Sequence, residues 1–397
     1  MKISFISLNQ FRPTFDGGSN ALWDTMTHFA RSGHETDFLF FVSRDSDIVK
    51  KDFFDVLQDV DGQVAAVGKE FFDLSIGQLN VHHRILPCGL SDWKQASGDL
   101  LKIVREEILL NRPDYVFTID NCGISLLASC LAGIPGGHIF NSMANVLSFK
   151  ALNPMFVNLL KTRDVIAVSG FLQMRIREWL GIESLLWPPF IDIERHRSYG
   201  TENTAAEAIG FCCGGVEQYK GDEIFNAIAK RLKDCSFLVV GEKYLVRSES
   251  RPQNLEYLGR LSDMQAFYRK IKLLLVPSIV PEGHSRVIIE AAANGVPSIA
   301  NDVGGIREAL GGSGVLIDIG SHESVDVGNI AMQYVCEIQK LLGDEIVYQD
   351  QRRRSLERAR SYQAEQVRIC GQFLKGLYSR IKPAKGGSLM REAGHSA

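Results

Sequence analysis

Paired cysteines are missing from this 397-residue sequence: none of its eight cysteines belongs to a C-x-x-C spacing, and several lie in apolar runs, as reduced core cysteines do. A reducing cytoplasm is the expected compartment. An excess of charge of one sign is missing as well. Lys and Arg total 44 against 47 Asp and Glu, for a net charge of −3, so binding to nucleic acid by electrostatics is not expected. No apolar run reaches the ~18 residues needed to cross a bilayer, which leaves a soluble chain or one held at the inner face of the membrane by peripheral contact. The opening MKISFISLNQ runs straight into a strand-like segment, so no signal peptide is expected. Two fingerprints are absent too. Without G-x-G-x-x-G a nicotinamide enzyme is disfavoured, and without G-K-S or G-K-T so is a P-loop nucleotidase.

What is present is alternation. A chain of this length is expected to form two domains. Strands are expected at 2–7, 36–42, 115–119, 137–140 and 165–168, with helices at 19–31, 100–110 and 124–131 between them. Strands separated by ~10–15 helical residues indicate βαβ units and a parallel sheet. After a polar stretch at 196–208 the pattern restarts with AIGFCC, SFLVVG, LEYLG, LLLVPS, PSIAN and GVLID. The expected architecture is α/β, with one doubly wound domain over 1–200 and a second over 201–360. A charged helix follows at 361–382, and an unstructured tail at 383–397. The Arg352–Arg354 run reads as a solvated helix face.

Three strand–turn–helix junctions carry candidate chemistry. In FDGGSNALWDTMTHF, Gly17 and Gly18 precede a helix, and glycine lets backbone N–H groups approach an anion beside a helix N-terminus. In FCCGGVEQYKGDEIFNAIAKRL, Lys220 stands just before a helix, a mobile point charge able to neutralise a diphosphate. The third, PEGHSRVIIEAAANGVPSIANDVGG, places Glu282 on a loop after a strand and Glu290 inside the following helix. Eight helical positions would set the two glutamates about 80° apart, so they are not a dyad on one face. Each is suited instead to accept hydrogen bonds from a pair of neighbouring hydroxyls, with the helix-start N–H groups of Ser285 and Arg286 facing a phosphate between them. Glu290 lies in the apolar context VIIEAAA, where an unpaired carboxylate is costly, so it requires a partner.

At these residues the chain resembles glycosyltransferase family 4. The carrying match is PSIVPEGHSRVIIEAAANGVPSIANDVGG, supported by the Gly17-Gly18 loop, DVIAVSGF, PPFID, the turn with Lys220 and LEYLG. The resemblance implies the GT-B fold, two Rossmann-like domains facing across a cleft with a C-terminal helix crossing back to the first. It also implies a retaining, metal-independent transfer from a nucleotide sugar, UDP- or GDP-linked, with no further cofactor. The acceptor would be a glycan, a lipid-linked sugar or a small molecule, in polysaccharide biosynthesis. Carried over, Glu282 would contact donor-sugar hydroxyls and Lys220 the diphosphate, together forming the catalytic pair. Glu290 would hold the ribose, and Gly17, Gly18, Gly283, His284, Ser285 and Arg286 would line the donor site. Two departures stand out. Gly215 replaces an arginine of the family's turn, leaving Arg286 or another residue to restore the charge, and Asn141 replaces a histidine. His138, three residues earlier, reads as a core or loop histidine. A non-catalytic nucleotide- or glycan-binding relative, and a sugar-nucleotide epimerase of the same fold, are the alternatives. In FKALNPMFVNLLKTR, core packing is the favoured reading over a membrane-facing surface.

Overall fold

The strand-like runs assemble into two separate sheets in the computed structural model, which describes residues 1–8, 17–43, 63–67, 71–76, 79–86, 97–197, 207–213, 217–241, 250–261, 264–320 and 324–381. The first sheet contains β1 (Lys2–Ser7), β2 (Glu35–Ser43), β3 (Gln63–Val67), β4 (Phe71–Ile76), β5 (Leu79–Leu86), β6 (Tyr115–Ile119), β7 (Gly136–Phe140), β8 (Asp164–Ala167) and β9 (Leu185–Leu186), in the order β3-β4-β5-β2-β1-β6-β7-β8-β9. From β5 to β9 every neighbour is parallel, whereas β3, β4 and β5 pair antiparallel. Parallel pairing needs crossovers. Most are supplied by α1 (Gly17–Arg31), α2 (Ser97–Asn111), α3 (Ile124–Leu131), α4 (Met143–Ala151), α5 (Pro154–Leu160) and α6 (Gly170–Leu180). Gly17 and Gly18 are therefore the first turn of α1, not the loop before it. A first helical turn has free N–H groups whichever residues build it, so the two glycines still offer donors there.

After the short helix α7 (Ile193–His196), the second sheet comprises β10 (Ala208–Cys213), β11 (Phe237–Gly241), β12 (Leu255–Tyr257), β13 (Ile271–Val276), β14 (Ser298–Asn301) and β15 (Val315–Ile317), all parallel, in the order β12-β11-β10-β13-β14-β15. Its helices are α8 (Asp222–Arg231), α9 (Met264–Tyr268), α10 (Arg286–Ala293), α11 (Ile306–Leu310) and α12 (Val327–Gly343). Strand order reverses between β10 and β13, and in doubly wound sheets the crevice at that reversal is where ligands bind. The loops that leave these two strands carry Lys220 and Glu282. Both faces of this sheet are buried, which accounts for the apolar runs FLVV of β11 and LLLV of β13.

The final helix, α13 (Glu345–Ile381), is 37 residues long. Its first part packs on α10 and α12, and Cys370, Leu374 and Leu377 then enter the core of the first sheet beside Phe117 and Trp187. Tyr362 donates to the Pro189 carbonyl at 2.9 Å, and Arg380 forks onto Asp164 at 3.0 and 2.9 Å. The helix thus crosses back to the first sheet and ties the segment between the sheets on the way. Arg353 and Arg354 pair with Asp350 on the exposed face of this helix, as a solvated run would. Arg352 instead donates to the Gly295 carbonyl at 3.3 Å. In the 149–163 segment, Phe149 and Leu160 are core residues while Met155 is exposed. Among the described residues, no helix is long and apolar enough to cross a membrane. Gly215 and the tail at 383–397 lie outside the described residues.

Strands β1, β2, β4 and β5 share a polar network that titrates. Buried Asp37 forms an ion pair with Lys2 at 2.8 Å and accepts from Asn80 at 3.1 Å, and His82 sits 3.0 Å from Asp73. Burial pulls the His82 imidazole down, but hydrogen bonds to Asp37 and Asp73 and their charges outweigh it and hold its pKa above the ordinary 6.5. A group raised on folding stabilises fully below its unfolded pKa and loses that contribution as pH climbs through its folded one. Thermal stability of the wild type is therefore expected to fall, relative to His82→Gln, as pH rises from about 6.5 towards the alkaline side. Melting curves of the two proteins across that range check this; parallel pH profiles would contradict it.

Candidate active site

The loop between β13 and α10 is fixed from three sides. The Tyr219 carbonyl accepts from Ile279 N–H at 2.8 Å, the Ser278 carbonyl accepts from Asn301 at 3.0 Å, and Gly305 N–H donates to the Glu282 carbonyl at 2.8 Å. Lys220, at the end of a 3-10 turn that Gly221 converts into α8, is thereby brought to 2.6 Å from the Glu282 carboxylate. Ser278 donates to the same carboxylate oxygen. Burial pushes the Glu282 carboxyl up, yet Lys220 and its hydrogen-bond donors outweigh burial and leave it below its usual value. Glu282 is therefore a carboxylate at neutral pH. An ammonium has three donors, so Lys220 keeps protons for a second anion while it serves Glu282.

Helix α10 starts beside this pair. Ser285 is its N-cap and makes no side-chain capping bond, so the first N–H groups of the helix have no intrahelical acceptor. Small residues make the packing behind it close: Ala291, Ala292 and Ala293 are buried, and Gly295 ends the helix with φ +68°. Glu290 is buried, and it has partners. Tyr268 donates to one carboxylate oxygen at 3.0 Å and the Arg286 Nε to the other at 3.3 Å. Burial raises the Glu290 carboxyl, but His196, Arg286 and Tyr268 outweigh it, with a net downward shift. Each oxygen has a second lone pair, so the carboxylate remains able to accept from a diol.

The side chain of Arg286 does not face the Lys220–Glu282 pair. Its guanidinium donates to the Phe190 carbonyl at 2.8 Å and to Asp24 of α1 at 2.7 Å, as well as to Glu290. It therefore does not supply the charge that Gly215 lacks, and only its backbone N–H is left for a ligand at the helix start. His284 is half-buried. Its ring lies tilted against Tyr362 of α13 with centroids 5.4 Å apart, and burial together with Arg358 and Arg286 drives its pKa down to about 3, so it is a neutral imidazole. His138 is a core histidine, fully buried, 2.9 Å from Thr118, with burial lowering its pKa to about 4.

At this loop the segments that follow strands of the two sheets come into contact. A Cβ on Gly283 would overlap the Asn141 carbonyl, which follows β7, and one on Gly305 would press on Ser169, which follows β8. Glu308 of α11 accepts from Gly170 and Phe171 N–H at 2.7 and 2.8 Å, at the N-terminus of α6. The structure therefore brings together Lys220, Glu282, Gly283 and the start of α10. Gly17 and Gly18 stand at the head of the α1 that carries Asp24. Sequence reasoning missed Asp24, Tyr268, Ser278 and Glu308. Of these only Asp24 left a trace, as an acid within the buried turn of Trp23, Thr25 and Met26.

Residues 207–327 match the family described as "Glycosyl transferases group 1". Protein CapJ of Staphylococcus aureus is 36% identical over 77 residues, covering 19% of this chain and 18% of that protein. Solved structures are similar over nearly the whole chain. Sucrose-phosphate synthase from Thermosynechococcus elongatus superposes with a TM-score of 0.72 at 16% identity, over 96% of this chain and 99% of that one. HepE of Anabaena, solved with UDP and glucose, gives 0.68 at 16% identity over 96% and 100%. With these likenesses, and with its own paired sheets and returning helix, the chain has the GT-B fold, and its segment 207–327 is similar to the group 1 glycosyltransferases.

Proposed function

We propose that the chain is a retaining glycosyltransferase that takes a sugar from a nucleotide-diphosphate sugar and passes it to a hydroxyl on a glycan, a lipid-linked sugar or a small molecule. The observation that carries this reading is the Lys220–Glu282 pair, 2.6 Å apart, assembled from the two loops at the strand-order reversal and set beside the uncapped start of α10. In the transfer, an acceptor oxygen bonds to the anomeric carbon, the bond from that carbon to the diphosphate breaks, and the hydroxyl proton leaves with the nucleotide. Negative charge gathers on the diphosphate as that bond breaks. Lys220 and the α10 N–H groups are donors already oriented for it, at no cost of reorganisation during the reaction. Glu282 is suited to the donor-sugar hydroxyls and Glu290 to the ribose.

HepE, the similar protein of Anabaena, was solved with UDP and with UDP-glucose, which makes UDP the first nucleotide to try. Metal independence is part of the proposal and rests on the family resemblance. The spacings Asp45-x-Asp47 and Asp59-x-Asp61, which lie outside the described residues, are of the kind that can bind a cation, so assays with chelator and with Mg²⁺ belong beside the main test. That test is a thermal-shift screen with UDP, GDP, ADP and TDP. At a hundredfold excess over its dissociation constant, the cognate nucleotide is expected to raise the melting midpoint by about 5–10 °C. Four flat traces would refute donor binding. A shift without turnover across sugar donors and acceptors would favour the non-catalytic relative, and turnover of the sugar nucleotide with no acceptor the epimerase.

A further inference from the structure

Arg286 joins a functional carboxylate to the opposite domain. Its planar guanidinium spends all three nitrogens: Nε on Glu290 at 3.3 Å, one terminal nitrogen on the Phe190 carbonyl at 2.8 Å, and the other on Asp24 at 2.7 Å. Asp24, Arg286 and Glu290 are 2%, 5% and 6% exposed, so the chain of charges is buried throughout. The second Asp24 oxygen is taken by Arg195 at 2.7 Å, and His196 lies 3.5 Å away. Asp24 belongs to α1, which packs on the first sheet, while Arg286 and Glu290 belong to α10 of the second.

Stability alone does not account for such an arrangement. Removing charges from water costs several kcal/mol per ion, and buried pairs are often no better than apolar residues of the same volume. The geometry has a second use. A fork held at three points fixes the plane in which its Nε–H lies, and that hydrogen fixes one oxygen of Glu290; the Tyr268 hydroxyl fixes the other. Lysine, a point charge on a flexible stem, would not transmit orientation in this way.

We propose that Arg286 is a positioning residue through which the seating of α1 against α10 sets the Glu290 carboxylate, so that nucleotide affinity depends on Asp24 across the domain boundary. This rests on the reading that Glu290 holds the ribose. When α1 is seated, Asp24 pins the far edge of the guanidinium and Glu290 presents its free lone pairs in one direction. When α1 moves away, the guanidinium loses that anchor and is free to fold onto Glu290, competing with the diol. Affinity for the nucleotide and closure of the two domains would then be one linked equilibrium.

The test is calorimetric titration of UDP into the full chain as wild type, Asp24→Asn, Glu290→Gln and the double variant, with GDP, ADP and TDP as further titrants. Asp24→Asn is expected to weaken binding about tenfold, and to add nothing once Glu290→Gln is present, because the effect travels through that carboxylate. A tether that only holds the domains together would lower the melting midpoint and leave the affinity alone, or would add its effect in full to that of Glu290→Gln. Either result overturns the positioning role while leaving the functional reading standing. Failure of the wild type to bind any of the four nucleotides overturns both. Should Asp24→Asn not fold, Arg286→Lys, which keeps the charge and loses the fork, is expected to show the same tenfold loss and the same non-additivity with Glu290→Gln.

Discussion

Lys220→Ala is expected to lower turnover by about 10²–10³-fold, in line with the removal of one oriented donor from a site where charge develops. The lysine sits 2.6 Å from Glu282, and the turn that holds it is hydrogen-bonded to the same loop through the Tyr219 carbonyl. The ammonium therefore reaches its place before any donor arrives. Charge on the diphosphate grows only as the glycosidic bond breaks, so the loss should fall more on kcat than on KM. A second effect follows on Glu282, which the ammonium now holds below the usual carboxylate range. Without that counter-charge, burial raises its pKa, and the residual activity should rise with pH as the carboxyl ionises. Lys220→Arg keeps the charge with a different shape and is expected to recover part of the loss. Steady-state kinetics with the nucleotide sugar found by the thermal screen measure all three. Activity within a factor of about three of wild type in the alanine variant would remove Lys220 from the mechanism.

Gly221→Ala should be strongly destabilising, by about 2–5 kcal/mol. Two costs add. Gly221 has φ +84°, a left-handed conformation that costs an alanine roughly 1–2 kcal/mol. Its missing Cβ also faces the Pro277 carbonyl so closely that any side chain would overlap the backbone at the end of β13. Relief requires β13 or the start of α8 to shift, and Lys220 is the neighbouring residue. Gly259→Ala separates the two costs, since Gly259 has φ +68° and open space where a Cβ would go. That variant should lose only the conformational part, about 1–2 kcal/mol. Urea unfolding followed by near- and far-ultraviolet circular dichroism compares them. Equal midpoint shifts in the two variants would show that the close approach to Pro277 contributes nothing.

Much of the architecture could be read from the sequence because parallel strands buried on both faces are written as unbroken apolar runs. The expected strand at 115–119 and helix at 124–131 coincide with β6 and α3. The strands between residues 63 and 86 were not legible. There the alternation is broken by Asp73, His82 and Arg84, which satisfy one another only once β4 and β5 are paired, at 3.0 and 2.7 Å. In a single sequence those residues look like loop. The two glutamates and Lys220 could be picked out as candidates for a different reason. Each stands in a telling local context, with a strand end on one side and a helix start on the other. The need of Glu290 for a partner followed from its apolar neighbours, but the identity of that partner's own anchor did not. Asp24 and Arg286 are 262 positions apart, and no periodicity connects them.

The path of α13 bears on how the protein is made. Phe373 touches Phe117 at 5.6 Å and Trp187 at 5.0 Å between centroids, and Cys370 is fully buried in the same core. The first-sheet domain therefore lacks part of its interior until residues 370–377 have been translated. At ~5–20 residues per second, the nascent first half waits on the order of ten seconds or more with an aromatic face open to water. The second domain, whose strands are contiguous in sequence, has no such delay. Order of synthesis and order of completion are thus reversed, and the last helix acts as the clasp that finishes the first-born half.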